Sequence, residues 1–525
     1  MTSSRPNTPT SRPLEPSPDE MHQLIATVMK YVTAAQMTSE RSPVAGSGYR
    51  WLHRNDDDRK HAVALAQSVQ SPLPEQGVDE AEALFKDLFE RLAPYSLNTG
   101  SGGYMGFIPS GGLFHAAVAD FVALALNRYV PIFMAAPGLA AIESQALQWL
   151  CDLIGLPNGA GGTFTSGGSI ATLTAIHAAR SQQFAHQPPE AWLKATVYVS
   201  DQAHYCLEKG LAICGLPLTN LRKIPVDEYF RIRLDALADA LKADAATGYQ
   251  PLMIVGNGGT TNTGAVDPLP ALAKMAHQYQ AWFHVDAAYG GFFNLTARGR
   301  AMLQGIEQAD SVVLDPHKSL FLPYGTGALL VKDRATLRQS FDFTGAYMPS
   351  QTEESFALEE DLLYLSPELT RDFRGLRVWL PLMLLGAETF RTQLDEKLDL
   401  AQQAAKQLMA IPNIQLVASP QLSILAFKLS PRDAALSPRA LDQLNKTFLD
   451  AINARGNILL TPFRGRCDGQ FALRMAILSF RTSAANLQQG LRDISDAAQA
   501  LSMSTNFSSQ ASTDTIRAEA MSVTV

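Results

Sequence analysis

Apolar residues at Met21, Leu24, Ile25, Val28 and Met29 recur at helical spacing, which predicts an amphipathic helix. A second helical pattern covers 81–92. These two helices form an N-terminal arm that cannot bury its apolar faces alone, so it must pack on the body or on a partner subunit. Further along, short apolar runs alternate with helical stretches. The runs at 196–200, 252–257, 281–287, 311–315 and 328–332 are brief, rich in β-formers and bounded by Gly, Pro or Asp. They predict buried strands, and the helical segments between several of them imply crossovers of a mainly parallel sheet. Beyond about Gly386 the character changes to long helical patterns with strand-like runs at 422–428 and 471–478. That change predicts a smaller α+β C-terminal domain.

The organisation that follows has five parts. Residues 1–20, rich in Ser, Thr and Pro, form a disordered tail, and 21–96 form the helical arm. A large α/β domain occupies 97–385, the small domain 386–502, and a second polar tail 503–525. No internal repeat is visible. Hydrophobic residues make up 46% and charged residues 18%, enough apolar content for a large core in a globular protein. The formal charge of −7 gives nucleic acid or an anionic membrane no long-range attraction, so neither is expected as a partner. The four cysteines, Cys151, Cys206, Cys214 and Cys467, form no CxxC pair and read as reduced thiols. No basic-then-apolar leader opens the chain, and no apolar run nears the roughly 18 residues that span a bilayer. The expectation is a soluble, cytoplasmic protein.

Ligands on mainly parallel sheets sit outside the carboxyl ends of the strands, so the residues just after each run carry the chemistry. Thr165-Ser-Gly-Gly-Ser169 precedes a helical pattern. Its small residues let a phosphate approach the backbone, the helix start supplies N–H groups, and Ser169 reads as N-cap and phosphate ligand. Asp286, in Trp282-Phe-His-Val-Asp-Ala-Ala-Tyr-Gly-Gly291, ends an apolar strand, where a carboxylate needs a cation or several donors. A protonated pyridine nitrogen is such a cation, and Ala287 and Ala288 leave room for a flat ring. Asp315-Pro-His-Lys318 ends another run between apolar flanks, a setting that makes the lysine amine easier to deprotonate, as Schiff-base formation requires. His204, in Ser200-Asp-Gln-Ala-His204, follows a third run and could stack on a cofactor ring. The ten histidines show no metal-ligand spacing, so no metal is expected.

In this order the segments resemble the group II pyridoxal-phosphate amino-acid decarboxylases, relatives of the aromatic-L-amino-acid, histidine and glutamate decarboxylases. Asp372-Phe-Arg-Gly-Leu-Arg-Val-Trp379 and Leu473-Arg-Met-Ala-Ile477 also look like segments of that family. The resemblance implies the PLP-dependent transferase-like fold, fold type I, and a homodimer with active sites at the interface. It implies pyridoxal 5′-phosphate held by Lys318 as a Schiff base, with Asp286 on the pyridine nitrogen and His204 stacked on the ring. Gly168, Ser169 and His317 would hold the phosphate with Asp315 close by, Thr261 would hydrogen-bond near the cofactor, and Ala288 would lie against it. Tyr347 falls where the family carries a mobile-loop tyrosine that returns a proton to the substrate carbon.

The segment 98–110 departs from the family's frequent His-Pro-aromatic pattern by carrying glycines. It lies where the family builds its substrate pocket, with Phe107, Ile108 and Ser110 as wall residues. Tyr129 and Phe133 would add to an apolar lining that favours a hydrophobic or aromatic amino acid over an acidic one. The implied activity is decarboxylation of an L-amino acid to the amine and carbon dioxide. An aldehyde-forming oxidative decarboxylase and an aminotransferase are the rival activities, and a catalytically inactive cofactor-binding homologue is the rival of a different class.

Overall fold

The computed structural model describes residues 14–39, 42–44, 56–75, 77–78, 80–109, 111–343, 361–431, 436–464 and 469–507. It forms two compact units, Met1–Ser101 and Gly102–Val525. In the first, the helix Pro18–Ser39 begins inside the stretch expected to be a tail. The cause is a capping box: the Ser17 hydroxyl accepts from the Glu20 amide at 3.3 Å while the Glu20 carboxylate accepts from the Ser17 amide at 2.7 Å. The helix Ala81–Lys86 continues as a π-helical turn over Asp87–Leu92. Tyr31 stacks on Phe89 and Lys30 pairs with Glu82 at 2.7 Å. Leu24 and Ile25 remain exposed, so part of the apolar stripe of the helix Pro18–Ser39 is left uncovered.

The second unit holds two sheets. The larger has seven strands: β1 Gly161–Thr165, β2 Ala195–Ser200, β3 Leu221–Ile224, β4 Gln250–Asn257, β5 Trp282–Asp286, β6 Ser311–Leu314 and β7 Gly327–Val331. Their order is β1-β7-β6-β5-β4-β2-β3, and only β7 runs against the rest. β2, β5 and β6 are buried along nearly their whole length, so their apolar runs advertise them. β1 and β3 are absent from the sequence reading for physical reasons. β1 is glycine-rich, and a Cβ on Gly162 would stand 2.3 Å from the Leu329 carbonyl oxygen. β3 is a four-residue edge strand with two cations.

The smaller sheet is antiparallel, with β8 Ile414–Ala418, β9 Ile424–Leu429, β10 Thr461–Arg464 and β11 Phe471–Ala476 in the order β10-β11-β9-β8. Its core includes Phe427, Phe448, Leu473 and Met475. The long helix Gly375–Ala410 leads into it and breaks at Gly386, whose φ of 70° a side chain would strain. Phe390 and Leu394, beyond that break, still pack in the core of the larger sheet.

Ion pairs around the Asp372–Trp379 segment tie the helices to the sheet edge. Arg371 pairs with Glu143, both almost fully buried, and Glu143 also accepts from the Gly375 amide at 3.0 Å. Arg377 pairs with Asp120 at 2.7 Å and donates to the Gly325 carbonyl at 3.1 Å. Among the described residues, no helix is long and apolar enough to cross a membrane.

Candidate active site

One edge of the large sheet gathers the polar residues. The carboxyl ends of β1, β2, β4, β5 and β6 open there, together with the start of the reversed strand β7, because Thr165 pairs with Gly327 and Leu314 with Ala328. Asn257, Asp286 and Val313 lie in register across β4, β5 and β6. The turns after these strands therefore face one another; they carry Gly168, His204, Thr261, Asp315 and Lys318, and Asp286 ends β5 beside them.

Lys318 sits in the single helical turn Pro316–Ser319 that follows β6. Its Nζ lies 2.9 Å from Asp315 Oδ2. Burial pulls the amine's pKa down, but the carboxylates of Asp315 and Asp286 outweigh it, and the net direction is up. This corrects the expectation that the pocket alone eases deprotonation: the (i, i+3) spacing puts a carboxylate on the amine. Asp315 is 2% exposed, and its Oδ1 has no partner.

His317 lies 3.7 Å from the same Asp315 oxygen through Nε2, its Nδ1 is buried without a partner, and burial lowers its pKa. His204 accepts from the Cys206 amide through Nδ1 at 3.3 Å, which leaves the proton on Nε2 in the neutral ring. Burial lowers its pKa against the pull of Asp286, with Lys318 reinforcing burial. Asp286 accepts from the Ala288 amide at 3.2 Å, and Ala288 is buried beside it. Ala287 makes no room for a ring, since its Cβ fills the core beside Gly258 and Gly291. Beneath the site, burial pushes the Cys206 thiol up to about 12.

The glycine turn differs from the expected cap. Gly167 is the N-cap of the helix Gly168–Gln183, and Ser169 lies exposed within its first turn. Close packing decides this. A Cβ on Gly167 would stand 3.2 Å from His317 Cε1, one on Gly168 would stand 2.9 Å from Asp315 Oδ2, and Gly327 presses on the Gly167 backbone. Ser169 keeps its place at the helix start, where amides and dipole favour an anion.

Among the wall residues, Phe107 is half-exposed, whereas Ile108, 4% exposed, is part of the main core. Ser110 and Tyr347 lie outside the described residues. The segment abuts the loop after Lys318: Leu113 donates its amide to the Phe321 carbonyl at 2.8 Å, and the Tyr324 hydroxyl donates to the Pro109 carbonyl at 3.1 Å. Thr261 is half-buried, and its carbonyl accepts from Arg474 at 2.8 Å. Sequence reasoning assigned Arg474 no role, although a charge inside the apolar run of β11 was a visible signal.

These features suit an aldehyde cofactor bearing a phosphate. An amine stands among carboxylates, two orphaned polar atoms line the turn, and glycines leave an anion room at a helix start. A family model for the pyridoxal-dependent decarboxylase conserved domain matches residues 66–430. The chain belongs to that family. As a pyridoxal-dependent decarboxylase it takes pyridoxal phosphate as cofactor and acts as a carboxy-lyase on an amino acid.

The decarboxylase is 32% identical over 443 residues to an aromatic-L-amino-acid decarboxylase of Bacillus atrophaeus, covering 84% of this chain and 90% of that protein. It is 30% identical to an L-2,4-diaminobutyrate decarboxylase of Acinetobacter baumannii over 65% of this chain and 69% of that one. Among solved structures, Oryza sativa TDC with PLP and tryptamine superposes with a TM-score of 0.85 at 23% identity, covering 93% of this chain and 99% of that one. The fold is therefore fold type I.

One residue of the sheet is expected to make the decarboxylase acid-sensitive. His284 in β5 is fully buried, its Nδ1 lies 2.7 Å from Ser311 Oγ, and its Nε2 has no partner. Burial lowers its pKa to about 4, against roughly 6.5 in an unfolded chain. A group depressed in this way contributes stability that is present above pH ~6.5 and is lost as pH falls through about 4. The expected loss is on the order of 3 kcal/mol. His284→Asn should show a smaller drop in melting temperature than the parent between pH 7 and pH 4.5. Equal drops would remove His284 from the account.

Proposed function

We propose that this decarboxylase converts an L-amino acid with an aromatic or hydrophobic side chain into the corresponding amine and carbon dioxide. Bound pyridoxal phosphate supplies the electron sink for the bonding pair of the departing carboxylate. Lys318 anchors the cofactor covalently, and Gly168, Ser169 and His317 hold its phosphate at the helix start, with Asp315 beside Lys318 and Thr261 and Ala288 flanking the ring. Asp286 keeps the ring nitrogen protonated. His204, neutral with its proton on Nε2, stacks on the ring and faces the substrate. Tyr347 returns a proton to the substrate carbon. Phe107 and Ser110 belong to the substrate wall, with Ile108 in the core behind it.

The observation that carries the substrate reading is where the nearby cations point. Arg474 donates to the carbonyls of Thr261 and Gly106, and Arg481 donates to the carbonyl of Gly111. Guanidinium groups engaged with backbone oxygens are poorly placed to receive an acidic side chain. The reading includes a homodimer, supported by the helix Phe114–Leu126, which exposes Phe121 and Leu124. It also includes a cytoplasmic location, supported by Cys151, Cys206 and Cys214, the described cysteines, which are free of disulfides.

The test is a panel of tryptophan, tyrosine, phenylalanine, leucine, glutamate and 2,4-diaminobutyrate scored by amine formed. The aromatic amino acids should exceed glutamate in kcat/KM by at least about 100-fold. A preference for glutamate or diaminobutyrate would overturn the substrate reading.

A further inference from the structure

Arg474 stands in the middle of β11, 7% exposed, and among the described residues no carboxylate pairs with it. A buried cation without a counter-charge is expensive, so its hydrogen bonds must compensate. One guanidinium nitrogen, Nη1, donates to the Thr261 carbonyl at 2.8 Å, and Nη2 donates to the Gly106 carbonyl. Those carbonyls belong to the turn after β4 and to the segment 102–112. Gly106 is held twice, because the Thr461 hydroxyl also donates to it at 2.8 Å.

The same segment is fastened along its length by its carbonyls. The Thr482 hydroxyl donates to Gly102 at 2.8 Å, the Tyr324 hydroxyl to Pro109 at 3.1 Å, and Arg481 to Gly111. Arg474 alone among these donors also reaches the turn that carries Thr261. The planar fork of Arg474 serves the two carbonyls with two separate nitrogens held in fixed geometry, whereas a lysine would have to reach both with one ammonium.

We propose that Arg474 is a positioning residue that sets substrate selectivity by locking the segment bearing Phe107 to the turn bearing Thr261. This rests on the reading of Phe107 as a residue of the substrate wall. With both terminal nitrogens engaged on backbone oxygens, Arg474 shapes the wall and does not itself contact the amino acid.

The test compares the holoenzyme with Arg474→Met, Arg474→Lys, Thr461→Val and Phe107→Ala. The readouts are kcat/KM for tryptophan and leucine, and inhibition by tryptamine, which lacks a carboxylate. Arg474→Met should lower kcat/KM for tryptophan by roughly 100-fold and weaken tryptamine inhibition with it, because a displaced wall misplaces both ligands. Arg474→Lys should not restore either. Thr461→Val keeps the buried cation and loses one of the two holds on Gly106, so the preference for tryptophan over leucine should shrink by about 5-fold.

If Arg474→Met raises KM for tryptophan and leaves tryptamine inhibition unchanged, Arg474 reads the carboxylate and the clamp is overturned. If Arg474→Met does not fold, Thr461→Val decides, and unchanged selectivity there overturns the clamp. Phe107→Ala separates the two readings. Altered selectivity in Phe107→Ala with none in the Arg474 and Thr461 variants sinks the clamp alone, and no change in Phe107→Ala sinks the wall and the clamp together.

Discussion

Lys318→Ala should release no measurable carbon dioxide from any amino acid, a loss of at least about 10⁴-fold, because it removes the amine proposed to anchor the cofactor. The same change leaves the Asp315 carboxylate buried without its cation, so the melting temperature should fall as well. Lys318→Arg separates the two effects. It keeps a positive charge beside Asp315 but cannot bond the cofactor aldehyde, so it should be stable and inactive. Borohydride treatment of the parent holoenzyme should fix the cofactor to the peptide containing Lys318. Fixation at Lys332 or another lysine, or turnover by Lys318→Ala, would displace Lys318 from the centre of the account.

Asp286→Asn carries the second large effect. The amide oxygen can still accept from the Ala288 amide, so the backbone at the end of β5 should hold its shape. The negative charge is lost, and with it the group proposed to keep the ring nitrogen protonated. Turnover should fall by roughly two to three orders of magnitude while cofactor remains bound, the size carried by a single preorganised electrostatic contact. Asp286 also supports the charged form of Lys318, so the Lys318 pKa in the cofactor-free protein should move down. A variant that binds cofactor and turns over at the parental rate would refute the ring-nitrogen role.

Much of the large sheet was legible because burial on both faces leaves continuous apolar runs, as in β2 and β6. His204, Asp286 and Lys318 were legible for the same reason: each is a polar residue placed just where such a run stops. The glycine-rich β1 and the short β3 carry no such run, and their pairing depends on β7 and β2. Ser169 was misplaced as the cap because the close approach of Gly327 to Gly167 is tertiary. The upward direction at Lys318 could have been read from Asp315 three positions earlier, once the turn after β6 is seen to be helical. Arg474 announced itself as a charge in an apolar strand, yet its partners lie 213 and 368 positions away, a pairing no local pattern contains.

The most direct measurement of the central claim follows carbon from both ends of one substrate. Holoenzyme is given tryptophan labelled at the carboxyl carbon, and carbon dioxide, tryptamine and the oxo acid are quantified together. The account predicts labelled carbon dioxide and tryptamine in equal amounts, with no oxo acid. Oxo acid without carbon dioxide, or carbon dioxide accompanied by the aldehyde in place of tryptamine, would contradict it.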